Sequence, residues 1–133
     1  VSIFLDGVLV SQTGTNRPPE PWVLAKVSNP ENGKYSNVYM LLDTGASTTV
    51  FPADMIDVLG FNFSTMEKVE RNTAGGVKST FVGDVVIEVA GHSEEISADF
   101  SFGWKANVLG HSFLKGCTLN IDYPAATFQL NRE

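Results

Sequence analysis

Short apolar runs, broken by polar or glycine-bearing turns, recur along the whole chain, a pattern of strands rather than of long helices. Residues 3–5 and 8–10 flank Asp6-Gly7, which predicts a hairpin with a two-residue turn. Residues 22–27 and 38–42 read as strands separated by the turn Asn29-Pro30-Glu31-Asn32-Gly33. The second of these is almost continuously apolar, as in a strand buried on both faces, and it runs directly into Asp43. Residues 52–59 predict a helix, with Pro52 at its first position, Met55, Ile56 and Leu59 on one face, and Gly60 at its stop. Residues 66–71 and 77–82 look like the two arms of a hairpin around the tip Asn72-Thr73-Ala74-Gly75-Gly76. Strands at 84–89 and 96–102 turn through Gly91-His92, and Val108-Leu109-Gly110 leads into one helical turn over 111–115. Strands at 119–121 and 127–130 close the chain around Asp122-Tyr123-Pro124.

Composition narrows the function. A length of 133 residues suits one compact domain, and 43% hydrophobic against 18% charged residues supplies a core rather than a disordered chain. The net charge of -6, with no cluster of Lys and Arg, argues against a nucleic-acid surface, which needs cations to neutralise phosphates. No apolar run approaches the roughly 18 residues of a membrane-spanning helix. Cys117 is the sole cysteine, so no intramolecular disulfide is possible, and its strand context predicts a buried, inert thiol. His92 and His111 have no cysteine or carboxylate at ligand spacing, so neither a metal nor another cofactor is expected. Residues 11–21 are polar and carry Pro18, Pro19 and Pro21, the composition of a connecting arm. The expected organisation is therefore an N-terminal strand or arm over 1–21, of open role, and a main domain over 22–133. A start at Val1 rather than Met is expected of a processed form or of a piece cut from a longer chain. The sequon Asn62-Phe63-Ser64 is too short to carry weight.

The chemistry concentrates in Leu41-Leu42-Asp43-Thr44-Gly45-Ala46-Ser47. An acid placed directly after a buried strand loses water, and its charge needs backbone N–H groups or a partner in compensation. Thr44-Gly45 supplies a tight turn in which glycine permits close backbone approach. Taken alone, Asp-Thr-Gly recurs by chance, and Asp43 in it reads more simply as a cap on a strand-end turn.

Two further segments change that balance. The chain resembles the retropepsin-like aspartic proteases at Asp43-Thr44-Gly45-Ala46-Ser47, at the glycine-bearing tip Thr73-Ala74-Gly75-Gly76, and at Asn107-Val108-Leu109-Gly110 followed by Phe113-Leu114. The likeness extends over about residues 22–130, and the active-site turn is its most specific part. It implies a mostly β fold: an acid-protease-like closed β-barrel half with one or two short helices, active as a two-fold dimer. It implies an aspartic endopeptidase with Asp43 as the catalytic residue, one carboxylate from each subunit of a homodimer, and a polypeptide substrate. Thr44 inherits a bond across the two-fold axis, and Gly45 a backbone contact to substrate. Residues Thr73, Ala74, Gly75 and Gly76 correspond to the flap, and Leu109 with Gly110 supports the turn from below. Apolar residues around the cleft are expected to favour hydrophobic side chains beside the cut. The alternative is a non-catalytic dimerisation or peptide-binding domain on the same fold.

Overall fold

The computed structural model describes residues 3–11, 14, 16–73 and 75–132. In chain order the strands are β1 Ile3–Val10, β2 Glu20–Ser28, β3 Tyr35–Leu42, β4 Thr49–Pro52, β5 Glu67–Thr73, β6 Gly76–Val89, β7 His92–Ser101, β8 Val108–Leu109, β9 Cys117–Asp122 and β10 Thr127–Arg132. Two one-turn helices, α1 Met55–Val58 and α2 His111–Leu114, and a 3-10 turn over Phe63–Thr65 complete the described elements. The strands pair in the order β5-β6-β7-β4-β8-β3-β2-β1-β10-β9, and an additional β2–β6 pairing returns the sheet on itself. The chain is thus mostly β with few short helices, as its apolar pattern predicts.

The core follows from alternation. Along β2, Val23, Ala25 and Val27 point inward while Leu24 and Lys26 point out, the period of two that a strand imposes. Met40, Leu42, Phe51, Ile87, Phe100 and Phe113 meet them, all nearly or fully buried. Phe100 stacks on Phe51 at a centroid distance of 5.5 Å and meets Phe61 edge-on at 5.4 Å. Helix α1 adds Met55 and Ile56, and the helical segment ends before Gly60, whose φ of +67° favours glycine.

Three local expectations are corrected. Asp6-Gly7 is not a turn, because β1 runs straight through it and pairs Gly7 with Phe128 on β10. A Cβ at Gly7 would lie 2.2 Å from the Phe128 ring, so the glycine makes room for a ring rather than for a bend. Strand β3 is not buried on both faces: Tyr39 is 66% exposed, and only Met40 and Leu42 are buried. Pro52 ends β4, and the helix starts later, at Met55.

The turn after β2 is anchored from a distance. Buried Asn29 donates its side-chain N–H to the Leu59 carbonyl at 3.0 Å and accepts from the Glu31 N–H at 2.9 Å. Asn29→Ala leaves those backbone groups without their partner, and we expect a loss of about 1–3 kcal/mol. A lowered urea midpoint with unchanged slope is the expected readout, and an unchanged midpoint would contradict it.

Candidate active site

Asp43 follows β3 at the point where that strand meets β8. Leu41 and Leu42 pair in parallel with Val108 and Leu109, and the Asp43 N–H donates to the Leu109 carbonyl at 3.1 Å. The chain then folds tightly: the Ala46 N–H donates to the Asp43 carbonyl at 3.2 Å, and the Gly45 N–H donates to Asp43 Oδ1 at 2.9 Å. One carboxylate oxygen is therefore engaged by the turn's own backbone, as an Asx turn does. The side chain is half-buried, while Thr44, Gly45 and Ser47 are exposed.

Leu109 and Gly110 lie against this turn. Leu109 is fully buried. A Cβ at Gly110 would fall 2.2 Å from the Thr48 carbonyl oxygen and 2.8 Å from that of Ala46, so only glycine lets the two backbones touch. The His111 N–H donates to the Ala46 carbonyl at 2.8 Å, which ties the start of α2 to the same turn. Thr49 contributes its hydroxyl oxygen, which accepts from the Gly110 N–H at 3.2 Å and lies 2.9 Å from Ser112 Oγ. The structure thus brings Asp43, Gly45, Ala46, Leu109 and Gly110 into one hydrogen-bonded unit. Thr49, His111 and Ser112 join it, and nothing in the local sequence distinguishes those three from ordinary strand and helix residues.

The hairpin β5–β6 is paired in register up to Thr73 opposite Gly76, and Gly76 has a φ of +101°. Ala74 lies outside the described residues. Gly75 lines a groove of about 820 Å³ together with Gly45, Ala46, Ser47 and Thr48. Asp43 is not itself among the lining residues; it stands two positions before Gly45. The groove is less apolar than expected. Val50, Phe102 and Trp104 provide apolar surface, but Arg71, Lys78 and Asp99 also line it.

Asp99 also lines the groove, and its signal in the sequence is a carboxylate between Ala98 and Phe100 in an apolar strand. Its side chain is 6% exposed. Arg71 on β5 holds it with two hydrogen bonds, Nε to Oδ2 at 3.0 Å and Nη2 to Oδ1 at 3.1 Å, and Thr48 Oγ1 donates to Oδ2 at 3.3 Å. The hairpin arm is thereby pinned to the strand beneath it and to the residue just after the active-site turn. The hydrogen bond to Asp99 raises the Arg71 guanidinium above its ordinary value, against the smaller opposing cost of burial. A raised folded value means that the stabilisation is complete below the ordinary guanidinium value and is lost only as pH climbs through the still higher folded value. Titration of Arg71 therefore leaves the pin intact across the neutral and acid range.

Strand order, a hydrophobic-glycine support and a carboxylate turn beside a hairpin-roofed groove define a retropepsin-like fold. The chain belongs to the aspartyl protease family, whose model matches residues 25–96. Its structure is similar to that of a retropepsin-like aspartic protease from Rickettsia conorii, with a TM-score of 0.71 at 18% sequence identity over 99% of this chain and 94% of that one. It is also similar to the EIAV protease, solved with an inhibitor, with a TM-score of 0.57 at 20% identity over 80% of this chain and 92% of that one. No curated protein matches its sequence.

Proposed function

We propose that this protein is an aspartic endopeptidase that works as a two-fold homodimer, with Asp43 of each subunit as the catalytic pair. The observation that carries the reading is the Asp43 turn. It is half-buried at the end of β3, locked against Leu109 and Gly110, and continuous through Gly45 with a groove of about 820 Å³.

One chain supplies one such turn, and the chemistry needs two carboxylates. Brought together across a two-fold axis, the two groups cannot both be ionised, so they share a proton, as in aspartic proteases generally. The ionised one takes a proton from a water held between them as that water attacks the scissile carbonyl. The protonated one gives its proton to the carbonyl oxygen. Thr44, exposed beside Asp43, bonds across the axis and keeps the two turns in register. The Gly45 backbone meets the substrate, whose main chain pairs with the hairpin and the groove floor in the manner of an added strand.

In this account specific activity falls as the protein is diluted through its dimer dissociation constant. Sedimentation that finds a fully active monomer would contradict the homodimer. Residues 73–76 act as a flap that opens and closes on the bound peptide. Replacing both Gly75 and Gly76 by valine is expected to slow cleavage while circular dichroism still reports a folded β domain. Unchanged kinetics in that double variant would remove the flap from the mechanism.

A further inference from the structure

We infer that the groove selects an acidic side chain in the bound polypeptide, through Lys78 and Arg71 on the underside of the hairpin; this rests on the peptidase reading above. The argument begins with which side chains face inward. Arg71 reaches Asp99 on β7, so it points to the groove floor. Lys78 is its direct cross-strand partner and shares its face of the hairpin. Thr80, two residues on along β6, is buried on that same face. Glu70 pairs with Ser79, and alternation sends both to the opposite face; Glu70 also lines the groove but is exposed and forms no ion pair with Lys78. The inward face therefore carries two cations and one carboxylate.

That carboxylate is already committed. Both oxygens of Asp99 accept from Arg71, and Oδ2 accepts from Thr48 as well. Arg71 uses two of its five N–H donors in doing so, and its side chain remains 41% exposed. Lys78 is exposed and forms no ion pair among the described residues. On the inward face of the hairpin one positive charge thus has no ion-pair partner among the described residues, beside a guanidinium already fixed in place with donors to spare. A peptide extended along the groove presents its side chains alternately to floor and roof, and one of them falls under this pair. Aspartate or glutamate there meets both the charge and the donors, whereas lysine or arginine there is repelled.

The test reads binding apart from cleavage. Pools of random-sequence, fluorescein-labelled peptides, each with a single position fixed as Glu, Gln or Lys, are titrated by fluorescence anisotropy against the Asp43→Asn protein. At one position the Glu pool is expected to bind about fivefold more tightly than the Gln pool, the scale of a partly exposed ion pair. In the Asp43→Asn, Lys78→Glu double variant the preference at that position is expected to invert in favour of Lys. High salt should shrink both preferences. Equal binding of Glu and Gln pools at every position, a Glu preference that survives Lys78→Glu unchanged, or pools that do not bind at all would each overturn the inference. Failure of the peptidase reading is seen separately, as the lack of Asp43-dependent cleavage of the same pools by the unsubstituted protein.

Discussion

Asp43→Asn is expected to fold and self-associate as the unsubstituted chain does, while cleaving peptides about a thousandfold more slowly or worse. The two side chains are nearly isosteric. An amide oxygen at the Oδ1 position still accepts the Gly45 N–H that holds the turn at 2.9 Å, so the local fold has little reason to change. What is lost is the ability to take a proton from water and to pass one to the carbonyl oxygen, and an amide does neither near neutral pH. Melting temperature and sedimentation should match the unsubstituted protein, while turnover of a fluorogenic peptide disappears. Retained turnover in the purified variant would remove Asp43 from the chemistry. A collapse in melting temperature would make Asp43 a structural cap, the plain alternative that the tripeptide alone leaves open.

The second large effect is expected at Gly110. A methyl group there meets the Thr48 carbonyl oxygen at 2.2 Å, the Thr48 carbonyl carbon at 2.7 Å and the Ala46 carbonyl oxygen at 2.8 Å. All three are backbone atoms, so no side-chain rotation relieves the clash. Either β8 or the active-site turn must move. Gly110→Ala should therefore cost about 1–3 kcal/mol of stability, as overpacking of a tight contact does. The displaced turn should cost more in rate than in fold, because a shift of about 1 Å in a catalytic group lowers turnover by about a hundredfold. Urea denaturation and peptide turnover read the two effects separately. A variant unchanged in both would show that the close approach of these backbones does not position the turn.

The parts of this molecule that local chemistry determines were legible in its sequence. The helix over Met55–Val58 ends where Gly60 ends it, and the β5–β6 arms flank the tip where the paired glycines fall. The hydrophobic-glycine segment ends at Gly110, where only glycine fits. Local signals failed where a distant residue decides. Asp6-Gly7 has the composition of a hairpin turn, but the Phe128 ring, which β10 delivers from the far end of the chain, occupies the space over Gly7 and keeps the strand straight. The polarity of the groove was hidden for the same reason. Arg71 and Asp99 are 28 residues apart and look like two unrelated surface charges until β6 places their strands together. Val38 to Leu42 reads as a fully buried run because apolar composition does not reveal which face of β3 stays open, and Tyr39 faces out. The role proposed for Asp43 rests on resemblance rather than on periodicity, since composition and spacing alone read more simply as a capped turn.

The central claim is that each active site is built from the Asp43 residues of two chains, and a mixing titration tests it most directly. The unsubstituted protein is held at constant concentration and incubated with increasing Asp43→Asn protein until subunits have exchanged. Because a mixed dimer holds a single catalytic carboxylate, an approximately tenfold excess of the variant should reduce peptide turnover to about a tenth, the share of active chains still paired with one another. Turnover that stays constant across the titration would contradict the shared site and assign the chemistry to one chain alone.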